Sequence, residues 1–277
     1  MADIAISAVT QNTIGGLQRT AALADQVRER LATGRRVNRP SDNAPAFFLA
    51  KSLTERAEDL LAVKDKIGQS ISALGGAIAG TEALTDLVRQ AKAVATSARG
   101  GTAEARQAAA EQFDVIRVQI DTLAADVGFA GLNLLASPPD TLEVEFNERG
   151  TSALSIGGSA SDAAALGIGV AATDFGNFAA DGDIATAIGQ LDDAVTALRS
   201  TTQRLGSNVS LITTRLDFTE NLVNTLETGA GKLVDADLDE EAANLLSVRA
   251  RDALGIAGLS VARDSERLIL QLLGNAS

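Results

Sequence analysis

The sequence predicts a mainly α-helical fold: a long antiparallel coiled-coil rod with a small β-hairpin at its tip and its N- and C-terminal helices paired. Apolar residues recur in alternating three- and four-residue steps over residues 53–95 and again over 184–233, the signature of a coiled-coil seam. Residues 136–182, between these repeats, lose the period and contain two short alternating segments. Aromatic residues are only 3% of the chain, which favours narrow helix seams over a wide interior.

The two ends are helical in pattern but unusually apolar. Residues 1–18 contain one charged side chain, Asp3. A helix that is apolar over most of its circumference needs neighbours on more than one side, so we expect residues 1–40 and 235–277 to pair and also to contact other chains. The predicted contact residues are Ile4, Val9, Ile14, Leu17, Leu23, Val27, Leu31, Leu254, Ile256, Leu259, Val261, Leu268, Ile269 and Leu272.

The predicted core domain comprises residues 41–135 and 183–234. Its first helix has a strict seven-residue repeat, and Gly100 and Gly101 then end it. Thr102 is placed to cap the next helix. The second repeat, over 184–233, lasts about fifty residues, or about 75 Å of helix. The seven-residue repeat is formed by Leu53, Leu60, Ile67, Leu74, Thr81, Val88 and Ala95.

The predicted tip, residues 136–182, contains the hairpin. The segments "TLEVEF" and "SALSI" alternate apolar and polar residues, and Asn147–Gly150 can form a turn between them. The remainder is rich in glycine and small residues, so we expect it to be a loop.

Composition excludes several kinds of chemistry. Histidine and cysteine are absent, so a Cys/His zinc site, a Ser-His-Asp triad and a thiol nucleophile are excluded. A net charge of −12 argues against a nucleic-acid partner. The sequence contains no apolar run long enough for a membrane helix and starts without a signal-peptide pattern. We expect no catalytic site, cofactor, metal or membrane partner, and any export to use a route without a cleaved signal.

Two motifs resemble ligand sites without matching them. "DADLDEE" at 235–241 starts like a calcium loop, but Glu240 replaces the glycine and Leu246 the final glutamate. Its acidic residues suit the start of a helix. "GIGVAA" at 167–172 matches a shortened dinucleotide fingerprint, but no βαβ unit encloses it. We interpret its glycines as loop residues.

Both ends of the chain resemble bacterial flagellins. "LATGRRVNRPSDNAPAFFLAKSL", starting at Leu31, is similar to the amino-terminal signature of that family, and "DADLDEEAANLLSVRARDALGIAGLSVA", starting at Asp235, to its carboxyl-terminal signature. "LNLL" at 132–135 resembles the motif that closes the second core helix. Ala130 stands where the family usually has Asn. The resemblance covers most of the chain outside residues 136–182, so large outer domains are absent or reduced to the hairpin.

The resemblance implies a structural subunit that self-polymerises into the extracellular flagellar filament. It implies that the terminal helices line the inner tube, that the subunit is exported through the flagellum without a cleaved signal, and that its partners are the export apparatus, an export chaperone and the filament cap. It places a joint between tube and core at Arg36, Asn38, Pro40, Ser41, Asp42, Asn43 and Pro45. It also suggests O-glycosylation, with the candidates Thr151, Ser152, Ser155, Ser159, Ser161 and Thr173.

Two alternatives remain open from the sequence. A hook–filament junction protein would share the terminal helices but occur in few copies. A non-flagellar antiparallel coiled-coil signalling module would share the long repeats, but it would not need ends that are apolar all round.

Overall fold

A computed structural model describes residues 8–274 of the chain. Within that range it has six α-helices, a single 3₁₀ turn and a two-stranded antiparallel sheet, which confirms the predicted mainly α fold with a small hairpin. In chain order, the elements are α1 (Ala8–Thr33), α2 (Ala44–Ser97), α3 (Ala103–Asp126), β1 (Thr141–Glu145), β2 (Ala153–Gly157), α4 (Ala171–Asp174), the 3₁₀ turn (Gly176–Phe178), α5 (Asp181–Val234) and α6 (Leu238–Gly274).

The chain divides into two compact units. One consists of Met1–Glu55 with Thr225–Ser277, and the other of Arg56–Asn224. Both borders fall inside the long helices α2 and α5, whereas the predicted borders fall at the breaks between helices. The division into terminal, core and tip domains therefore stays a prediction.

The first unit contains the predicted pairing of terminal helices, because α1 packs against α6. Val27 of α1 and Val248 of α6 are buried. Gly255 of α6 lies against Leu17 of α1, where an added Cβ would come within 2.7 Å of Leu17 Cδ2. Asp237 caps the start of α6, since its Oδ1 accepts hydrogen bonds from the backbone N–H groups of Asp239 and Glu240 at 3.0 and 3.1 Å.

In the second unit, α2 and α5 pack antiparallel along the predicted seam. The residue number of the partner in α5 decreases as the residue number in α2 increases: Lys64 pairs with Glu220, and Lys92 pairs with Asp192. Seam residues such as Leu74 and Leu198 are fully buried. Burial of such side chains, each worth roughly 1.5–3 kcal/mol, stabilises this unit.

A buried pair of hydroxyls interrupts the apolar seam. The Oγ1 atoms of Thr81 and Thr202 lie 2.9 Å apart and share a hydrogen bond, and Thr81 is fully buried. Each hydroxyl also lies within hydrogen-bond distance of a carbonyl of its own helix, Thr81 of Ile78 O at 2.7 Å and Thr202 of Leu198 O at 3.0 Å. Sliding one helix by a turn would therefore lose only the hydrogen bond between the helices, and the pair adds a modest preference for this register of α2 against α5.

The third helix holds the segment that follows the hairpin. Thr102 caps α3 as predicted, because its side chain accepts a hydrogen bond from the Ala105 N–H. Asp114 and Asp121 lie seven residues apart on one face, and their carboxylates accept hydrogen bonds from the backbone N–H groups of Ala171 and Ala163 at 2.8 and 2.7 Å. These bonds attach residues 163–171 to α3.

Residues 158–182 are more ordered than the predicted loop. They contain α4 and the 3₁₀ turn, and Phe175 and Phe178 are buried against Phe113 of α3, with ring centroids 6.0 and 5.4 Å from that ring in edge-to-face contact. Aromatic burial of this kind outweighs the loop-forming tendency of the surrounding glycines. The expectation of a plain loop was therefore wrong for this part.

The hairpin has the predicted strands. Leu142 pairs with Ile156 and Val144 with Leu154, so the apolar residues of both strands share one face. Gly158 follows β2, and its N–H donates to Asp140 O at 2.9 Å. An added Cβ at Gly158 would collide with Leu134 O and lie 2.7 Å from Asp140 O.

Gly158→Ala should therefore lower the free energy of unfolding by about 1–3 kcal/mol, because backbone atoms cannot move aside. Gly157→Ala is the matched control, since no atom lies within 4 Å of the added Cβ, and should change stability by less than about 0.5 kcal/mol. Denaturant titration of both variants measures the difference. Equal effects would show that the close approach at Gly158 is wrong.

A tight turn after α3 places an alanine in a left-handed conformation. Phe129 and Leu132 exchange two backbone hydrogen bonds, of 2.9 and 3.0 Å. Ala130 and Gly131 between them have φ of +51° and +84°, as in a type I′ turn, which favours Asn-Gly. Ala130 thus occupies a position where an alanine side chain is strained.

Ala130→Asn should raise the free energy of unfolding by about 0.5–1 kcal/mol, because Asn tolerates positive φ better than Ala. Ala179→Asn, at an exposed alanine with φ of −59°, controls for the substitution itself and should give no gain. Thermal unfolding of the two variants provides the comparison. A loss of stability in Ala130→Asn would contradict the turn assignment.

Candidate self-assembly surface and joint

The α6 helix exposes a series of large apolar side chains. Leu246 and Leu254 are 71% and 72% exposed, and Ile256, Val261 and Leu268 are more than half exposed. Large side chains of this kind are normally buried in soluble proteins. An exposed apolar series along one helix is typical of an interaction surface.

The predicted contact residues differ in exposure. Leu23, Leu254, Ile256, Val261 and Leu268 are exposed, whereas Ile14, Leu17, Leu31 and Leu259 are half-buried. Ile4, and the side chains of Val9, Ile269 and Leu272, lie outside the described residues.

Val27 corrects the prediction. It is only 2% exposed within one chain, because α6 packs against α1. It therefore belongs to the core of the helix pair and is not accessible to a neighbouring subunit.

Sequence reasoning missed four exposed apolar residues of the same unit, Phe48, Leu49, Leu238 and Leu246. Phe48 and Leu49 come after the predicted joint and were assigned to the core helix. Their neighbour Ala50 is buried, so the helical period would have placed them on the outer face.

A buried ion pair fixes α6 against α1. Nη1 of Arg30 donates to Oε1 of Glu241 at 2.8 Å, and the side chain of Glu241 is almost fully buried. A buried carboxylate requires such a partner because its desolvation is costly. The acidic cluster predicted at the start of α6 therefore includes a residue that holds the helix pair together.

The joint begins with a short β-bridge between the segment that follows α1 and the segment that links α5 to α6. Gly34, with φ of +68°, follows the end of α1 at Thr33, as glycines in this conformation commonly do. The backbone N–H groups of Arg36 and Val37 donate to Val234 O at 2.7 and 3.1 Å, and the N–H of Ala236 donates to Gly34 O at 3.0 Å. A two-residue bridge has no periodicity, so the sequence could not reveal it.

A turn stabilised by Asp42 follows the bridge. Pro40 and Ser41 occupy its central positions, and the Asp42 N–H donates to Arg39 O at 3.0 Å. Oδ2 of Asp42 accepts hydrogen bonds from the N–H groups of Arg39 and Asn38, both at 2.9 Å. These two donors, helped by the charges of Arg39 and Arg30 and opposed by desolvation, hold the pKa of Asp42 below its ordinary value.

The joint ends at the cap of α2. Oδ1 of Asn43 accepts a hydrogen bond from the Ala46 N–H at 3.1 Å, as an N-cap residue does. Pro45 lies in the first turn, where its missing N–H costs nothing. Asn38 closes the loop from the other side, since its Nδ2 donates to Arg35 O at 3.0 Å. The structure thus brings the predicted joint residues into one continuous turn.

The six glycosylation candidates differ in exposure. Thr151, Ser155 and Thr173 are exposed, and Ser152 and Ser159 are half-buried. Ser161 is only 1% exposed, and its hydroxyl donates to Ser159 O at 2.9 Å. The expectation that Ser161 is accessible was wrong, because residues 159–161 pack on the segment around Leu134 and Leu135.

The two weak motifs have structural explanations. Asp237, inside "DADLDEE", caps α6. In "GIGVAA", Gly169 lies so close to Asp174 and Phe175 that an added Cβ would come within 2.9 Å of each. Among residues 8–274, no group of acidic side chains could hold a metal ion, and no helix combines the length and apolarity needed to cross a bilayer.

Comparison with known proteins identifies the family. Residues 4–138 match the bacterial flagellin N-terminal helical region. Flagellin FljM of Caulobacter vibrioides is 31% identical over 92% of this chain and 93% of its own length. The chain belongs to the bacterial flagellin family. A flagellin of Brucella melitensis is 26% identical over 98% of this chain and 99% of its own length. The crystal structure of Bacillus cereus flagellin matches 56% of this chain and 88% of its own, with 18% identity and a TM-score of 0.47.

Membership of the flagellins gives the function at a coarse level. The protein is a structural subunit of the flagellar filament, which is extracellular and assembles from copies of the flagellin.

The Asp42 turn should respond to pH in a defined direction. A carboxyl group whose pKa is lowered on folding stabilises the folded state above its unfolded pKa, and this contribution disappears as the pH falls through the folded pKa. Asp42→Asn should therefore have a lower free energy of unfolding than the wild type at neutral pH. This difference should narrow below pH 3.8, the ordinary pKa of an aspartate side chain. Unfolding followed at several pH values measures it. A gap that stays constant would contradict a role for the charge.

Proposed function

We propose that the exposed apolar residues of α1 and α6 form the contacts between subunits in the filament. The observation that carries this is the exposure of Leu246, Leu254, Ile256, Val261 and Leu268 along one helix. Because α1 covers only part of α6, a single chain leaves this surface in water. Neighbouring copies supply the missing cover.

Burial of these side chains provides the driving force. Each fully buried Leu, Ile or Val contributes roughly 1.5–3 kcal/mol. For five such residues on α6, this gain exceeds the typical entropic cost of ordering their side chains. The net charge of −12 per subunit opposes assembly, so added salt favours it.

We further propose that residues 34–45 act as the joint between a tube-forming part, residues 1–40 with 235–277, and a core of residues 41–135 with 183–234, the hairpin part being 136–182. The bridge to Val234, the Asp42 turn and the Asn43 cap support this. Together they satisfy the backbone where α1 ends and α2 begins, so the joint is held in one conformation.

The family relationship also supports the remaining parts of the function. The subunit is exported through the flagellum without a cleaved signal, and its partners include the export apparatus, an export chaperone and the filament cap. It has no enzymatic activity and binds neither nucleic acid nor membrane. Thr151, Ser155 and Thr173 are the best placed sites for O-glycosylation because they are exposed.

Leu254→Asp should abolish polymerisation, because it places a charge in a surface that becomes buried. Leu254 is exposed in the single chain, so the monomer should keep its helical circular-dichroism spectrum. Leu254→Met, which keeps an apolar side chain of similar size, is the control and should polymerise. Sedimentation and electron microscopy provide the readout. Normal filaments from Leu254→Asp would contradict the proposal.

A further inference from the structure

A phenylalanine protrudes from the start of α2, next to the joint. Phe48 is 58% exposed, and Leu49 beside it is also exposed. Both lie in the same compact unit as α1 and α6. Phenylalanine is among the residues most often buried in soluble proteins, and it is enriched at the cores of protein interfaces.

A cavity of about 190 Å³ lies beside this residue in the same unit. Its apolar walls include Val37, Ala50 and Val234, and Phe47 forms part of its lining. Val37 and Ala50 are buried, so the cavity has an apolar floor. Such a recess can accept one apolar side chain.

Phe48 cannot fill the cavity of its own chain. Phe47 and Phe48 are consecutive on a helix, and such residues point in different directions. Their ring centroids are 5.5 Å apart with the planes at 86°, and only the Phe47 ring lines the cavity. The cavity is also lined by the exposed residues Arg35, Lys51 and Thr54, so a ring from another molecule can enter it.

The edge of the cavity suits an aromatic ring. Arg35 and Lys51 line it and are exposed. Arg28, Arg30 and Arg39 each pair with a carboxylate, whereas Arg35 pairs with none among the described side chains. A cation beside the face of a phenyl ring attracts it, so a ring in the cavity would gain both apolar and cationic contacts.

We propose that Phe48 of one subunit inserts into the cavity beside Phe47 of a neighbouring subunit, so that a second copy of this chain is the occupant. Copies of the flagellin meet in the filament, so each subunit that offers Phe48 also offers the recess to a neighbour. This inference rests on the proposed function, and it extends the assembly surface past the joint.

Substitution of the ring tests the protrusion. Phe48→Ser should raise the critical concentration for assembly by about tenfold or more, the effect of removing an aromatic anchor, and Phe48→Tyr should restore it. Phe218→Ser is the matched control, because Phe218 of α5 is 60% exposed but lines no part of the cavity. It should polymerise like the wild type.

A substitution that fills the cavity tests the role of the cavity in the contact. Thr54 lines the cavity and is exposed, so Thr54→Trp should occupy the recess and impair assembly in the same way. The double variant Phe48→Ser/Thr54→Trp should be no worse than either single variant, because both remove one contact. Additive losses would overturn the pairing of Phe48 with this cavity.

Cross-linking locates the contact directly, since the chain has no cysteine. Leu49→Cys chains, which keep Phe48, and Thr54→Cys chains, mixed and polymerised, should be joined by a short bismaleimide between positions 49 and 54 of different subunits, as mass spectrometry of the linked peptides would show. The same mixture kept monomeric should give none.

The outcomes separate this inference from the proposed function. If the wild type polymerises but Phe48→Ser assembles like Phe218→Ser, or the cross-link is absent from filaments, the inference is wrong and the proposed function stands. A cross-link formed only in unassembled protein would also overturn it. Failure of the wild type to polymerise would overturn both.

Discussion

The apolar surface that α6 leaves uncovered is the constraint on which the rest of the structure depends. One neighbour, α1, buries Val248 and holds Glu241 with Arg30, but Leu246, Leu254 and Val261 remain in water. A helix apolar on several sides is stable only when several helices surround it. On our proposal the additional helices come from neighbouring subunits, and the stability of the terminal unit and the assembly of the filament then have the same physical origin.

The polar groups of the chain fix geometry more than they add stability. The hydroxyl pair of Thr81 and Thr202 adds a hydrogen bond between α2 and α5 in this register, and Asp42 satisfies two backbone N–H groups where the chain changes direction. The net contribution of each such bond is modest, about 0.5–1.5 kcal/mol. A subunit in a helical lattice needs a defined geometry, because every copy must present its contacts in the same place.

Periodicity explains what the sequence could predict. The seven-residue repeats gave α2 and α5, and Thr102 and the strand alternation gave the start of α3 and the hairpin, because these signals are local. Packing between segments that are distant in the chain could not be predicted from these local signals. The burial of Val27 and Ser161, the bridge from Arg36 to Val234 and the packing of Phe175 on α3 all depend on segments distant in the chain. Phe48 was assigned to the core helix, although the helical period places it on the outer face.

A cryo-electron microscopy map of filaments grown from the purified full-length chain tests the central claim most directly. The account predicts that Leu246, Leu254 and Val261, exposed in the single chain, are enclosed by side chains of neighbouring subunits. The joint at residues 34–45 should keep the hydrogen bonds of Asp42 and Asn43. A map in which these α6 side chains face solvent, with subunits joined only through residues 56–224, would contradict it.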